Sequence, residues 1–260
     1  MEKIIVFKCG GSSVDELSTQ FFTNIHSLME EGWKPVIVHG GGPAIQNMLE
    51  KLNITFEFVD GLRKTTAPMM EVVEMILTGE INPQLTRKLN KNGIKAVGIS
   101  GSDYNLLKAK PINKEKYGQV GEVSEVNANY IKTILEEKIV PVISPVAIGK
   151  DYSTYNINAD TAAGAIASAL GAKRLVFVTD VPGILKDEKL LEKVTENEIS
   201  TMIESGIIYG GMIPKVKAAL HGLQGNVPEV MIINGKNSEP MINGQLKGTT
   251  ITNKTGVATK

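Results

Sequence analysis

Short runs rich in valine and isoleucine alternate with longer segments of helical periodicity along most of this chain. Such alternation is typical of β-α-β units, in which a helix connects two parallel strands. The expected core is therefore a mostly parallel sheet with helices packed against it. The predicted strands are 3–8, 35–39, 95–99, 139–144, 174–179 and 228–233, and the predicted helices are 13–31, 43–53, 67–78, 81–92, 127–138, 159–170, 196–205 and 214–224.

Two segments interrupt this alternation. Residues 54–65 are expected to form a hairpin that turns at Asp60-Gly61. Residues 106–126 are expected to add further antiparallel strands, broken by proline and glycine. We predict a boundary between two lobes near Gly171, within one continuous sheet.

The bulk composition excludes several classes of protein. A chain of 260 residues suits one large α/β domain or two closely joined lobes. Its 28 basic and 28 acidic side chains balance, which gives no reason to expect nucleic acid or an anionic membrane as a partner. No segment approaches the ~20 apolar residues of a membrane span, and no signal peptide is recognisable. The single cysteine fits a reducing compartment, so the sequence predicts a soluble, cytoplasmic protein.

The first predicted strand ends at Lys8 and leads directly into Gly10, Gly11 and Ser12. Glycines allow a backbone to approach an anion closely, and the N–H groups at the start of a helix point toward it. In the Walker loop, G-x-x-x-x-G-K-S/T, the lysine follows the glycines, whereas here it precedes them. This segment predicts a phosphate site of another design. The alternative is a strand–turn–helix junction with a surface lysine.

A second glycine cluster, Gly40 to Gly42, follows the strand that ends at His39. Because parallel strands present their carboxyl ends at one sheet edge, both glycine turns are expected to lie there. The cluster suits backbone amides that hold a phosphoryl group or a carboxylate, although glycines that only permit a tight turn are an alternative. It is not the G-x-G-x-x-G of dinucleotide-binding proteins. The three histidines have no ligand spacing and are interpreted as structural, and Cys9 as a small core thiol.

Asn156, Asn158 and Asp160 alternate along an extended approach to a helix, which predicts that their side chains share one side. The asparagines could bind a polar substrate, and the aspartate could orient lysines or meet a metal. The alternative is helix capping by Asn158 or Asp160.

The second lysine of interest, Lys215, lies just inside a predicted helix that follows Gly210-Gly211. A lysine in the first turn of a helix is electrostatically unfavourable unless an anion lies beside it. The polar turn after strand 174–179 could hold a nucleotide. Arg63, on the predicted hairpin, suits bidentate capture of a carboxylate, although a lone surface arginine is commoner.

Six motifs, read in order, resemble the amino acid kinase family over nearly the whole chain: K-x-G-G-S, H-G-G-G-P, G-L-R, N-x-N-A-D, T-D-V-P-G-I-L and G-G-M-I-P-K. The resemblance implies a three-layer αβα sandwich with an open, mostly parallel central sheet. It also implies an N-terminal lobe, residues 1–171, for the acceptor and for dimerisation, and a C-terminal lobe, residues 172–260, for ATP and Mg²⁺.

The resemblance also implies roles for individual residues. Lys8 and Lys215 match the lysines that neutralise the transferring phosphoryl group, and Asp160 matches the aspartate that organises both. The positions that match acceptor-binding groups are Gly41, Gly42, Arg63, Asn156 and Asn158. The phosphate-binding positions are Gly10, Gly11 and Ser12, and the nucleotide-binding positions are Asp180, Val181, Gly183, Ile184, Leu185 and Tyr209. No protein ligand to a metal is implied, since Mg²⁺ would be held mainly by the nucleotide phosphates.

Within the family, the chain is most similar to members that phosphorylate N-acetyl-L-glutamate on the route to arginine. This implies transfer of the ATP γ-phosphoryl group to the γ-carboxylate, which gives an acyl phosphate and ADP. A carboxylate with a pKa near ~4.3 is already ionised at neutral pH, so no general base is needed. Kinases of aspartate, glutamate, carbamate or carrier-bound aminoadipate are the alternatives. A non-catalytic metabolite sensor and a dinucleotide-dependent oxidoreductase are alternatives of other classes.

Regulation and assembly are also expected from the resemblance. Arginine-inhibited members carry an extra N-terminal helix that links dimers into a hexamer, whereas here the first predicted strand begins at Lys3. We therefore expect a homodimer that arginine does not inhibit.

Overall fold

The computed structural model describes residues 2–11, 14, 16–242 and 244–253. Within these residues the strands are β1 (Lys3–Cys9), β2 (Trp33–His39), β3 (Phe58–Val59), β4 (Leu62–Arg63), β5 (Ala96–Ser100), β6 (Leu107–Pro111), β7 (Val120–Val126), β8 (Val140–Ser144), β9 (Val146–Ile148), β10 (Thr154–Ile157), β11 (Arg174–Thr179), β12 (Leu185–Lys186), β13 (Lys189–Leu190), β14 (Lys193–Thr195), β15 (Glu229–Asn234) and β16 (Thr249–Thr252). The α-helices are α1 (Thr19–Glu30), α2 (Gly42–Lys51), α3 (Ala67–Glu74), α4 (Asn82–Lys91), α5 (Lys114–Tyr117), α6 (Ala128–Glu136), α7 (Ala159–Leu170), α8 (Glu196–Glu204) and α9 (Met212–Gln224). A π-helix, Met75–Ile81, joins α3 to α4, and a short 3₁₀ turn covers Asp103–Asn105.

The core of the fold is an eight-stranded sheet in the order β14-β16-β15-β11-β1-β2-β8-β5. The strands from β15 to β5 in this order run parallel, and β16 pairs antiparallel with β15. Strand β1 lies near the middle and is buried on both faces, which explains its almost continuous apolar sequence. The predicted mostly parallel sheet is confirmed, with all six predicted strands in place.

Helices cover both faces of this sheet. On β1, Ile4 and Val6 join one apolar cluster, which includes residues of α6, α7, α8 and α9. Ile5 and Phe7 join the opposite cluster, which includes residues of α1 to α4. Because successive side chains of a strand point to opposite faces, β1 contributes to both cores. The architecture is the expected three-layer αβα sandwich.

The two interruptions of the β-α pattern also form as predicted. Strands β3 and β4 pair as a hairpin whose turn residues, Asp60 and Gly61, have left-handed φ values of 50° and 78°. This backbone is favoured in two-residue hairpin turns, because its twist matches that of the strands. Strands β6 and β7 are antiparallel and close into a small barrel with β9 and β10.

Several local features differ from the predictions. The first helix begins at Thr19 rather than at residue 13, because Ser18 caps it by accepting a hydrogen bond from Phe21 N. The helix predicted for 67–78 continues instead as the π-helix. The short strands β9, β12, β13, β14 and β16 were not expected from the apolar pattern.

The predicted boundary at Gly171 coincides with the end of α7, where this glycine has a left-handed backbone. The main-sheet strands that follow it, β11, β14, β15 and β16, all lie on one side of β1. In the part of the chain that the structure describes, no helix is long and apolar enough to cross a membrane.

Candidate active site

The carboxyl ends of β1 and β2 bring the two glycine turns face to face. Cys9 pairs with His39 at the end of the two strands, and Gly40 N donates a hydrogen bond to Cys9 O at 2.9 Å. A Cβ placed on Gly11 would lie 2.7 Å from Gly41 N and 2.8 Å from Gly42 N. The turns therefore meet as predicted, and only glycine fits at residue 11. Ser12 lies outside the described residues.

Lys8 and Asp160 form an ion pair at this edge. Lys8 Nζ lies 2.8 Å from Asp160 Oδ1, and both side chains are partly buried. Asp160 lies in the first turn of α7, which Asn158 caps by accepting hydrogen bonds from Asp160 N and Thr161 N. The capping interpretation of Asn158 is thus correct, and the same cap fixes the backbone of the aspartate that contacts Lys8.

Lys215 reaches the same edge from the first turn of α9. Its Nζ lies 2.6 Å from Asp180 Oδ1, and the hydrogen bond from Lys215 lowers the pKa of Asp180 below its usual value. Asp160 was expected to organise both lysines, but among the described residues it forms an ion pair with Lys8 and not with Lys215. The reason is that Asp180, directly after β11, lies against the start of α9 and takes Lys215 as its partner.

Both lysines line one cavity of about 330 Å³. Its walls include the main chain of both glycine turns and the two carboxylates that hold the lysines. Ten of its lining residues are Lys8, Gly10, Gly11, Gly40, Gly41, Gly42, Asn158, Asp160, Asp180 and Lys215. Amides and ammonium groups that converge on a small cavity suit an anion with several oxygens.

A second cavity, of about 490 Å³, adjoins the first and shares the wall from Gly40 to Pro43 with it. All five predicted acceptor-binding residues line it: Gly41, Gly42, Arg63, Asn156 and Asn158. It also has an apolar lining from Phe58, Leu62 and Val120, which the sequence did not indicate. This combination suits a small carboxylate that carries an apolar group.

Arg63 lies in the wall of this second cavity. Its guanidinium lies over the rings of Phe56 and Phe58, at 4.9 and 4.6 Å from the ring centroids. Nη2 donates to Gly42 O at 3.2 Å, whereas the buried Nη1 has no partner among the described residues. A guanidinium that stacks on aromatic rings and has an N–H group without a partner is suited to bind a carboxylate. The cross-strand pairing of Phe58 with Arg63 could have indicated this stack.

Asn156 is tied to the same hairpin through Thr65, a buried residue that sequence reasoning missed. Asn156 Nδ2 donates to Thr65 Oγ1 at 3.1 Å, and Thr65 Oγ1 donates to Arg63 O at 2.8 Å. The arginine and the asparagine therefore belong to one hydrogen-bonded unit that faces the cavity.

A third cavity, of about 520 Å³, lies beyond Asp180. Five of the predicted nucleotide-binding residues line it: Val181, Gly183, Ile184, Leu185 and Tyr209. Asp180 instead lines the cavity between the lysines. Leu185 and Tyr209 are exposed, so apolar surface is available for a flat ring.

The loop that lines this third cavity is pinned to β16. Ile184 N donates to Thr249 Oγ1 at 2.8 Å. Gly183 has a left-handed φ of 143°, and a Cβ there would lie 2.4 Å from the same hydroxyl. Thr249 is a further residue that the sequence did not single out, because only the pairing of β15 with β16 brings it here.

The two buried titratable groups at the strand ends are both uncharged at neutral pH. Burial raises the pKa of the Cys9 thiol to about 12, which agrees with its interpretation as a core thiol. Burial lowers the pKa of His39 to about 4, so its imidazole is neutral. Among the described residues, no group of three or more histidine, cysteine, aspartate or glutamate side chains could hold a metal ion.

The chain resembles known proteins over almost its whole length. Residues 3–234 match the amino acid kinase family. An acetylglutamate kinase of Geobacillus kaustophilus is 52% identical over 99% of both chains, and one of Halalkalibacterium halodurans is 50% identical over 96% of both. A crystal structure of a Streptococcus mutans protein superposes with a TM-score of 0.85 at 33% identity, covering 98% of this chain and 100% of that one. This chain therefore belongs to the amino acid kinase family, among the relatives named acetylglutamate kinase.

Proposed function

We propose that the protein transfers the γ-phosphoryl group of ATP to the γ-carboxylate of N-acetyl-L-glutamate, in arginine biosynthesis. The observation that carries this proposal is the convergence of Lys8 and Lys215 on one cavity, between an arginine-lined cavity and an apolar one. A carboxylate oxygen attacks the γ-phosphorus, the bond from that phosphorus to the β–γ bridging oxygen breaks, and ADP leaves. The products are an acyl phosphate and ADP, and no proton has to move.

In this mechanism, Lys8 and Lys215 neutralise charge as an anion approaches the polyphosphate. Positioning and electrostatic stabilisation carry most of the catalysis in phosphoryl transfer, because there is little covalent work for the protein to do. The amides of Gly11 and Gly41 complete the phosphate site, whereas Gly10 N donates to Val178 O at 3.4 Å. Asp160 holds Lys8 in place through their 2.8 Å ion pair.

The acceptor binds in the 490 Å³ cavity beside the lysines. Arg63 and Asn156 bind the acceptor's carboxylate groups, and Asn158 lies at the junction with the phosphate site. The apolar lining from Leu62 and Val120 suits the acetyl group. An unacylated amino acid would place a charged ammonium group against that lining, so we infer that acetylation favours binding.

ATP occupies the third cavity with its phosphates directed toward Lys215. Asp180 lines the phosphate site, and Tyr209 and Leu185 supply surface for the adenine ring. Mg²⁺ usually keeps several waters and binds phosphates with only one or two carboxylates. Asp160 and Asp180, the two carboxylates that line the phosphate cavity, are paired with Lys8 and Lys215. Mg²⁺ would therefore be held mainly by the nucleotide phosphates, where it would neutralise negative charge.

We further infer the two-lobe organisation and a homodimer. The division at Gly171 is supported by the sheet order, because the main-sheet strands after this residue lie together beyond β1. A homodimer is supported by β5, which leaves an edge of the sheet unpaired in the described part of the chain and exposes Val97 there. Sedimentation that finds a monomer at micromolar concentration would refute the dimer without affecting the proposed reaction.

The test of the reaction is a coupled assay of ADP release with N-acetyl-L-glutamate, glutamate and aspartate compared at equal concentration. We expect rapid turnover with the acetylated acceptor only. Lys8→Ala is expected to abolish most of this turnover, and Lys3→Ala, an exposed lysine of the same strand, is the matched control. ADP release that does not depend on the acceptor, or equal rates with glutamate, would contradict the assignment.

A further inference from the structure

A buried histidine and a buried asparagine lie directly behind the second glycine turn. His39 is the last residue of β2 and is fully buried, and Asn82 is the first residue of α4 and is 4% exposed. His39 Nδ1 lies 3.1 Å from Gly40 O, and its Nε2 lies 3.1 Å from Asn82 Nδ2. The imidazole thus connects the glycine turn to α4.

The partners of Asn82 determine where the imidazole carries its proton. Asn82 Nδ2 also donates to Val142 O at 2.9 Å and to Ile99 O at 3.2 Å. Two carbonyl acceptors place the amide nitrogen there, and its two hydrogens are shared among these carbonyls and His39 Nε2, so Nε2 can only accept. Gly40 O can also only accept, so His39 Nδ1 carries the proton and donates it to Gly40 O.

Two neighbouring elements, β5 and the π-helix, are shaped to fit this arrangement. A Cβ on Gly98 would lie 2.0 Å from Asn82 Oδ1, so the glycine of β5 leaves space for the asparagine. The π-helix that precedes Asn82 packs Leu77 against the glycine turn, since a Cβ on Gly41 would lie 2.7 Å from Leu77 Cδ2. π-helical segments often occur at functional sites, where they place a side chain that a regular helix would not.

The bond to Gly40 O fixes the direction of the next N–H group. In a trans peptide, the carbonyl of one residue and the N–H of the following residue point in opposite directions. Because Gly40 O points to the buried imidazole, Gly41 N–H points away from it. Gly11 lies close to this amide, since its added Cβ would come within 2.7 Å of Gly41 N, and both glycines line the phosphate cavity. Gly41 N has no acceptor among the described residues.

We propose that His39 and Asn82 are positioning residues, which hold the Gly40–Gly41 peptide so that Gly41 N–H donates to the transferring phosphoryl group. This inference rests on the proposed function. Neither side chain touches the substrates, because both are buried behind the glycine turn. A neutral imidazole is required, since a second ring proton would have no acceptor in the amide of Asn82.

The kinetic test compares His39→Leu with His39→Asn. The Nδ2 of an asparagine lies close to where His39 Nδ1 lies, so His39→Asn keeps a donor for Gly40 O, whereas leucine removes it. We expect His39→Leu to lower kcat by roughly 10–100-fold, somewhat less than the loss of a whole oxyanion donor. Both KM values should change less than about threefold. His39→Asn should recover most of the loss, and His26→Asn, at an exposed site on α1, is the matched control.

A binding measurement separates positioning from damage to the fold. MgADP with aluminium fluoride and N-acetyl-L-glutamate mimics the planar phosphoryl group in transfer. The affinity of His39→Leu for this combination should weaken by about the same factor as kcat falls. Its affinity for MgADP alone should not change. A purely structural defect would lower the fraction of protein that binds and leave the affinity of the remainder intact, which would overturn the inference.

The tautomer can be tested in the wild-type protein, which needs no variant to fold. Nitrogen-15 spectra of selectively labelled histidine should show one neutral ring with the proton on Nδ1 from pH 5.5 to 8. A ring protonated on Nε2, or one that titrates in this range, would refute the inference, and so would normal turnover in His39→Leu. Wild-type protein without acetylglutamate-dependent turnover would refute the proposed function, whatever the tautomer.

Discussion

Lys215 is held by Asp180: its Nζ lies 2.6 Å from Asp180 Oδ1, across the gap between the end of β11 and the first turn of α9. A lysine in the first turn of a helix adds positive charge to the positive end of the helix dipole. The carboxylate of Asp180 offsets this unfavourable interaction and directs the ammonium group into the cavity that Lys8 also lines. The pair therefore links the fold of α9 to the chemistry of the site.

We predict that Asp180 acts in catalysis through Lys215. At saturating ATP, Lys215→Ala should lower kcat by roughly 10²–10³-fold. Asp180→Asn should lower it about tenfold, which is within the ~0.5–3 kcal/mol coupling expected for residues in contact. In the double variant, the effect of Asp180→Asn should nearly vanish. Lys217→Ala, on the exposed side of the same helix, is the control. If the double variant instead loses the product of the two single-variant factors in kcat, this prediction is contradicted.

The facing glycine turns give a steric prediction. In Gly11→Ala, the new methyl group would lie within 2.8 Å of the main-chain nitrogens of Gly41 and Gly42. It would cover both amides, so we expect kcat to fall by roughly 10²-fold or more. Gly164→Ala introduces the same methyl group in α7, where nothing lies within 4 Å, and should leave turnover normal and helix stability equal or higher. Equal activities of the two variants in the coupled assay would rule out close contact between the turns and the substrates.

The sequence predicts those parts of the site that are formed by a single strand and the turn that follows it. Lys8 with Gly10 and Gly11, and His39 with its three following glycines, are each read from a strand and the turn after it. Their meeting at one edge follows because parallel strands end on the same side. The expectation for Arg63 likewise follows from a local hairpin signal, Asp60-Gly61.

The parts that the sequence did not predict depend on which strands lie next to each other in the sheet. Asp180 is the partner of Lys215 because β11 lies beside β1 and α9 packs near its end, an order that no local pattern encodes. Thr249 reaches the nucleotide loop only through the antiparallel pairing of β16. His39 has no sequence signal for its role, since Asn82 lies 43 residues away and enters through a π-helix.

The stacked arginine gives a prediction about the acceptor. Arg63→Lys removes the planar group that lies over the rings of Phe56 and Phe58 and leaves a flexible point charge. We expect the KM for N-acetyl-L-glutamate to rise by roughly 10–100-fold, as for a lost hydrogen bond to a charged group, with the KM for ATP unchanged. Arg87→Lys, at an exposed position of α4, is the matched control. A rise in the KM for ATP alone would show that Arg63 does not bind the acceptor.

The buried imidazole of His39 gives a prediction about stability and pH. Burial lowers its pKa from 6.5 to about 4, so between these values the unfolded chain binds a proton that the folded protein does not. The free energy of unfolding must therefore fall as the pH falls through this window, by up to about 1.4 kcal/mol per pH unit from this one group.

Urea unfolding of the wild type and of His39→Asn at pH 7, 6 and 5, at constant ionic strength, measures this contribution. Between pH 6 and 5 the wild type should lose about 1 kcal/mol more than the variant, because the variant has no group to protonate there. His26→Asn removes an exposed histidine that lies 3.6 Å from Glu30, and should lose stability as the wild type does. If the wild type and His39→Asn lose stability in parallel, the imidazole is protonated in the folded protein and cannot accept a hydrogen bond from Asn82.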